Sequence, residues 1–321
     1  MTIPFKVAAF SGGVGGAKLV LGLSQICAAE ELTVVVNTGD DFEHLGLHVS
    51  PDVDTVIYTL AAINNAETGW GRADETWSFM SALQQLGAPT WFQLGDKDLA
   101  LNVYRTEKLR SGITLSDVTI DVAQKFGIRF RVFPMSNDPV RTMIETDSET
   151  ISFQDYFVRQ KCRPAVQKIR YQGLDSALPS PGLDALLKSS EIGAYVICPS
   201  NPYLSIDPML SLPSVRDHII DSPAPVVAVS PVVAGGSLKG PTGKIMGELG
   251  IPCTAIEVAK HYKGLINGII IADQDAGDTA EIERLGVHVI TANIVMKSTQ
   301  DKRDLATLVL SFARQLASKS K

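Results

Sequence analysis

Four glycines, Gly12, Gly13, Gly15 and Gly16, fall within the stretch SGGVGGAKL, between an apolar run and a helical pattern, with Lys18 just beyond. Glycine at a strand-to-helix turn reaches positive φ and lets main-chain N–H groups approach a ligand with no Cβ in the way. The helix start adds unpaired donors and a partial positive charge. Together these favour phosphate; the alternative is a tight turn with close helix packing. The spacing is not the G-x-x-x-x-G-K-[ST] loop of nucleoside triphosphatases, since Leu19 follows Lys18, and it is not a clean G-x-G-x-x-G fingerprint. Alone, the loop supports a phosphate-bearing ligand and nothing narrower.

Acids follow the second apolar run. Asn37, Asp40 and Asp41 stand in NTGDD, and Asp52 and Asp54 in SPDVDT. Carboxyl ends of parallel strands open onto the ligand crevice of an α/β sheet, which places these acids near the phosphates. Carboxylates beside phosphates repel unless a cation lies between them. Mg²⁺ takes one or two carboxylates, several waters and phosphate oxygens, and Asp40 and Asp54 are its expected ligands. Alternatively GDD is a turn and SPDVD a helix cap, which suits Asp41 and Asp52 equally well. His44 and His48 lie in a Gly- and Pro-containing loop without a glutamate beside the first, which argues against zinc.

Three further motifs carry polar groups. LGDKDLALN places Asp96, Lys97 and Asp98 around a helix start, as a local ion pair or a contact to an acceptor substrate. CPSNPYLSI follows an apolar run, with Ser200 and Asn201 suited to a nucleobase, ribose or phosphate. SPVVAGGSLKGPTGK supplies Lys239, Gly240, Gly243 and Lys244, and Pro241 fits a first helical turn. Three such strand ends on one edge point to a long ligand with more than one phosphate. Trp70, Trp77 and Trp91 could stack on a flat ring, though packing is the simpler role. No Ser/His/Asp or Cys/His constellation has supporting context.

The elements that must position these groups read as α/β. Residues 5–10 and 32–36 are short β-branched apolar runs separated by a helical pattern, a βαβ opening. From about 54 to 126 the periodicity is helical almost throughout, predicting an insertion that covers the active-site side. Strand signals return at 128–134, 194–199, 225–230 and 268–273, with a weaker one at 288–291; helical patterns cover 277–286 and 301–318. Residues 176–182, SALPSPG, are the best exposed loop. Strands from both ends of the chain predict one interleaved domain over 1–321.

The 321 residues carry 35 acids against 29 bases, a net charge of −6 that argues against nucleic acid as a partner. Four scattered cysteines without a C-x-x-C pair predict reduced thiols and a cytoplasmic protein. No signal peptide and no membrane span are expected.

Taken together, SGGVGGAKL, NTGDD, SPDVDTVIYTLA, LGDKDLA, PSNPYLSI and SPVVAGGSLKGPTGKIM resemble, in order and spacing, the 2-phospho-L-lactate transferase family, often called CofD. PMSNDPVRTMIET and FQDYFVRQKC are similar to its middle segments. The resemblance spans roughly residues 5–300 and implies a Rossmann-like, mostly parallel, doubly wound sheet with a helical insertion, in a homodimer. It also implies an Mg²⁺-dependent enzyme of deazaflavin coenzyme biosynthesis. A guanosine diphosphate-linked three-carbon acid would donate its phospho-acid moiety to the riboflavin-like precursor Fo, whose terminal ribityl hydroxyl attacks the β-phosphorus as GMP leaves. Carried over, Gly12, Gly13, Gly15, Gly16 and Lys18 would contact the diphosphate. Asp40 and Asp54 would hold Mg²⁺ and, with Lys97, form the catalytic set. Asn37, Asp41, Asp52, Asp54 and Lys97 would face Fo. Ser200, Asn201, Lys239, Gly240, Gly243 and Lys244 would hold the nucleotide half. Two departures stand out: some members have Thr and Pro where this chain has Gly15–Gly16–Ala17, and many have Arg where it has Lys97. The alternative is a non-catalytic, nucleotide-sugar-binding regulator of the gluconeogenesis-factor type, which would not need the full acidic set.

Overall fold

A computed structural model describes residues 5–237 and 240–319. The chain opens as strand, helix, strand: β1 (Lys6–Ser11), α1 (Gly13–Ser24) and β2 (Leu32–Val36), with β1 and β2 parallel. A long connection follows. It holds a hairpin of β3 (Phe42–His44) and β4 (Leu47–Val49), then α2 (Pro51–Leu60), α3 (Ser78–Gln85), α4 (Asp96–Arg110) and α5 (Leu115–Lys125). It ends in β5 (Arg131–Pro134), which pairs with β2. The helical pattern from 54 to 126 thus corresponds to four helices, interrupted by an irregular stretch between Leu60 and Ser78.

A second excursion carries no apolar run and escapes the sequence reading. Here β6 (Arg141–Glu145), β7 (Thr150–Ser152) and β8 (Lys168–Gln172) make a small antiparallel sheet in the order β7-β6-β8. Along β8, residues alternate between exposed and half-buried, so one face meets solvent and the strand lacks a hydrophobic signature. The chain returns through α6 (Pro181–Leu187) to β9 (Ile192–Ile197), on the other side of β1. The expected loop at 176–182 is only partly exposed. Ala177 and Ser180 are buried, and the Ser180 side chain caps α6.

The remaining elements are α7 (Asp207–Leu210), α8 (Val215–Asp221), β10 (Val226–Val229), the ribbon β11 (Val232–Val233) and β12 (Gly236–Ser237), and α9 (Thr242–Glu248). After them come α10 (Ala255–His261), β13 (Gly268–Ala272), α11 (Thr279–Arg284), β14 (His288–Ala292) and α12 (Thr299–Lys319). The main sheet has seven strands in the order β14-β13-β10-β9-β1-β2-β5, all parallel. Alternate residues feed two cores. Val7, Ala9, Val34 and Val196 pack with α1, α2, α5 and α12, whereas Ala8, Phe10, Val35 and Ile197 pack with α6, α8 and α10. Burial on both faces is why these strands read as continuous apolar runs. The fold is a doubly wound, Rossmann-like α/β sheet. Among the described residues, no helix is long and apolar enough to cross a membrane, and all four cysteines are free thiols.

Candidate active site

From β1 the sheet grows outward through β2 to β5, and from β9 it grows the opposite way through β10 to β14. The crevice beyond the carboxyl ends of β1 and β9 is therefore the topological switch point, where open α/β sheets bind ligands. A cleft of about 770 Å³ opens there. Gly12 precedes α1 in extended conformation, and Gly13 has φ +62°, a region costly for any residue with a Cβ. The Ser200 hydroxyl accepts from the Gly12 N–H at 3.1 Å and donates to the Gly12 carbonyl at 2.7 Å. A Cβ on Gly15 would sit 2.3 Å from the Pro199 carbonyl oxygen. One on Gly16 would sit 2.4 Å from the hydroxyls of Ser11 and Ser200. The glycines divide: Gly12, Gly13 and Gly15 line the cleft, while Gly16 is buried, and close packing constrains both Gly15 and Gly16. Lys18 also lines the cleft, with its ammonium donating to the Met296 carbonyl at 3.0 Å.

The acids face this loop. Asp40, Asp52 and Asp54 line the cleft; Asp41 borders a smaller adjoining cavity of about 360 Å³, which Asp40 also lines. Asp41 braces its own turn, accepting from the Ser50 hydroxyl at 2.8 Å and meeting His48 Nε2 at 3.0 Å. Asn37 is a fully buried strut: it donates to Asp52 at 2.9 Å and to the Leu204 carbonyl at 3.3 Å, and accepts from the Gly39 N–H at 2.8 Å. Asp52 faces the Gly13 N–H and the Ser205 hydroxyl, both of which favour its charged form. Both oxygens of Asp54 are held by the buried Arg105 guanidinium, through Nη1 at 3.2 Å and through Nη2.

Packing acids together in low dielectric disfavours their charged forms. Burial, then Asp52 and Asp41, holds the Asp40 carboxyl well above the usual range. Burial pushes Asp52 to about 6, with Asn37 opposing and Asp41 adding to the rise. Burial also pushes Asp54 to about 7, with Arg105 opposing and Asp98 adding. Asp40 Oδ1 is buried and has no hydrogen-bond partner among the described residues. Nor, among those residues, do three His, Cys, Asp or Glu side chains converge as an all-protein metal site. An orphaned carboxylate oxygen in a crowded acidic cluster, opposite the start of a helix, fits a hard cation that takes its remaining ligands from phosphate and water.

Other predicted residues are divided. Ser200, Asn201 and Gly240 line the cleft. Asn201 Oδ1 caps the following turn by accepting from the Tyr203 and Leu204 N–H groups, each at 3.0 Å, and Asn201 Nδ2 donates to the Thr242 hydroxyl at 3.0 Å. Gly243 and Lys244 lie outside the lining; Lys244 turns to Glu248 and the Pro164 carbonyl. Lys239 lies outside the described residues. Lys97 is exposed and does not line the cleft; it donates to the Asp74 carbonyl at 2.7 Å, while its neighbour Asp98 reaches the cleft and accepts from Tyr58 at 2.7 Å. Trp70 lines the cleft at 52% exposure, together with Phe92 and Phe157, the latter stacked on Phe153 at 5.3 Å. Trp91 packs instead against His44 and Phe42. Arg105, Ser205 and Thr242 escape sequence reasoning. Arg105 sits mid-helix with no motif around it, whereas Ser205 and Thr242 stand inside two motifs quoted above.

A family model described as 2-phospho-L-lactate transferase CofD matches residues 7–295. Phosphoenolpyruvate transferase of Streptomyces griseus is 37% identical over 317 residues, 97% of this chain and 99% of that protein. 2-Phospho-L-lactate transferase of Methanosarcina mazei is 37% identical over 302 residues, 94% of this chain and 98% of that protein. A UPF0052-family protein from Bacillus halodurans superposes with a TM-score of 0.62 at 18% identity, over 95% of this chain and 98% of that one, a likeness of fold. The family model over residues 7–295 and the relatives at 37% identity agree: the chain belongs to the 2-phospho-L-lactate transferase (CofD) family.

Proposed function

We propose that this protein transfers a phospho-three-carbon-acid group from a guanosine diphosphate-linked donor to the terminal ribityl hydroxyl of Fo, releasing GMP, in deazaflavin coenzyme biosynthesis. One observation carries it: in a chain of this family, the glycine loop at the start of α1 faces buried carboxylates across a single cleft. In-line phosphoryl transfer rests on positioning and charge neutralisation and needs no protein nucleophile. The loop from Gly12 to Gly15 and Lys18 would bind the diphosphate, and Ser200, Asn201, Gly240 and Thr242 the nucleoside half. Trp70, Phe92 and Phe157 supply an apolar wall for the flat ring of Fo. Lys97 secures the loop that carries Trp70, and Asn37 and Asp41 brace the acids from behind.

Asp40 and Asp54 would hold Mg²⁺; each Asp54 oxygen keeps a lone pair beyond its bond to Arg105. Mg²⁺, when bound, supplies charge neutralisation at the phosphoryl oxygens. The acceptor oxygen bonds to the β-phosphorus, the bond from that phosphorus to the GMP oxygen breaks, and GMP departs with the electron pair. The hydroxyl proton passes to a cleft carboxylate, for which Asp52, not assigned to the cation, is the candidate. We assign the active species to a homodimer, checked by sedimentation. Incubation with Fo, Mg²⁺ and donors carrying phospholactate, enolpyruvyl phosphate or phosphoglycerate, followed by mass spectrometry, tests the activity and names the acid. A product of Fo plus one phospho-acid, formed with GMP, is expected. Ligand binding without turnover would instead mark a non-catalytic regulator.

A further inference from the structure

Arg105 is the one buried Lys or Arg among the described residues, and its side chain is 2% exposed. It rises from the middle of α4 and meets Asp54, in the first turn of α2, with both terminal nitrogens. Nη1 also donates to Asn102 Oδ1 at 2.9 Å and to the His48 carbonyl at 3.4 Å. The guanidinium is thus fixed by its own helix and by β4 before it grips α2. Next to it, the His48 N–H donates to Thr106 at 2.8 Å, so the hairpin and α4 are locked together at this point.

A buried ion pair is a weak adhesive, because apolar side chains of similar volume join two helices at least as well. The pair therefore calls for a reason beyond holding α2 to α4. Asp54 lines the cleft and Arg105 does not. A planar fork bound to both oxygens also sets the plane of a carboxylate, which a lysine ammonium cannot do. We infer that Arg105 is a positioning residue: it holds Asp54 as an oriented carboxylate toward the cation and diphosphate in the cleft. This role rests on the proposed transferase reading and acts through Asp54 alone.

The test uses the full chain, with Mn²⁺ as the probe cation. Arg105→Lys keeps the charge and loses the fork. Turnover should fall on the order of a hundredfold, as for an ångström-scale misplacement of a catalytic group, while KM for the guanosine donor stays within about twofold. Mn²⁺ affinity, read by electron paramagnetic resonance, should weaken about tenfold in Arg105→Lys. In an Asp54→Asn background, Arg105→Lys should weaken it no further, since the interaction it reports is already gone. Asn102→Ala, which loosens the guanidinium without removing it, should shift Mn²⁺ affinity in the same direction by a smaller factor, and it serves if Arg105→Lys does not fold. Wild-type Mn²⁺ affinity in the folded variants, or losses that multiply independently in the Asp54→Asn background, would overturn the role. If the wild-type chain binds Mn²⁺ but transfers nothing, the transferase reading fails while the Mn²⁺ cycle still decides Arg105.

Discussion

Ser200 and Gly12, 188 residues apart, exchange two hydrogen bonds, one in each direction, across the switch point of the sheet. A hydroxyl is the smallest side-chain group that can both accept and donate, and here it joins the turns after β1 and β9 into one wall of the cleft. Ser200→Ala should leave a buried N–H and carbonyl unpaired and lower stability by about 1–3 kcal/mol. It should also weaken GDP binding. Denaturant unfolding and a GDP titration read both effects; wild-type values in each would mean the two turns are held by other contacts.

Gly15 and Gly247 make opposite predictions from the same substitution. A Cβ on Gly15 meets the Pro199 carbonyl oxygen at 2.3 Å, backbone that cannot yield without moving α1 or the β9 turn. Gly15→Ala should destabilise by about 1–3 kcal/mol or more, as overpacking does. Gly247 is exposed in α9 with open space around it. Gly247→Ala should be neutral or stabilising by about 0.5–1 kcal/mol. Melting temperatures of the two variants check the contrast.

Asp52 predicts the pH dependence of the ligand-free protein. Its carboxyl titrates near 3.8 when unfolded and at about 6 when folded, burial being the main cause. The folded state therefore holds this proton longer, and stability is lost as pH rises from about 4 to about 6, by about 3 kcal/mol for roughly two units. Subtracting the profile of Asp52→Asn cancels unrelated groups such as His44, whose burial pulls its imidazole down. Urea unfolding near pH 4.5 and near pH 7 should show the wild type losing more stability than Asp52→Asn over that window. Parallel profiles would contradict it.

Trp70 sits on a turn between Gly69 and Gly71, both at positive φ, and half of its surface is exposed at the cleft. Trp70→Ala should leave the melting temperature unchanged and raise KM for the flat-ring acceptor by the equivalent of about 1–3 kcal/mol of stacking. KM for the guanosine donor should not move. Lys97→Ala, which releases the loop at Ala73 and Asp74, should give a smaller rise in the same constant. A change in donor KM alone would place the acceptor elsewhere.

Local pattern made part of this legible. The central strands of the main sheet are buried on both faces and announce themselves as apolar runs, whereas the edge strand β14 is largely uncovered and reads more weakly; the glycine loop and acids stand in compact motifs at strand ends. Three things were not local. Arg105 pairs with Asp54 across 51 residues and sits in a helix face with no motif. The antiparallel sheet β6–β8 has one wet face and no apolar run. Lys97 points away from the cleft because Asp98, one residue on, takes the inward position on α4, a register that depends on how α4 packs. Asn37, expected to face a ligand, is instead consumed by three structural hydrogen bonds.

In the proposed mechanism a divalent ion sits between the start of α1 and the carboxylates, touching the diphosphate. Phosphorus relaxation of bound GDP in the presence of Mn²⁺ tests it most directly. Strong paramagnetic relaxation of the β-phosphorus in the wild type, largely lost in Asp40→Asn with GDP still bound, is the predicted result. Equal relaxation in both proteins, or none in either, would contradict it.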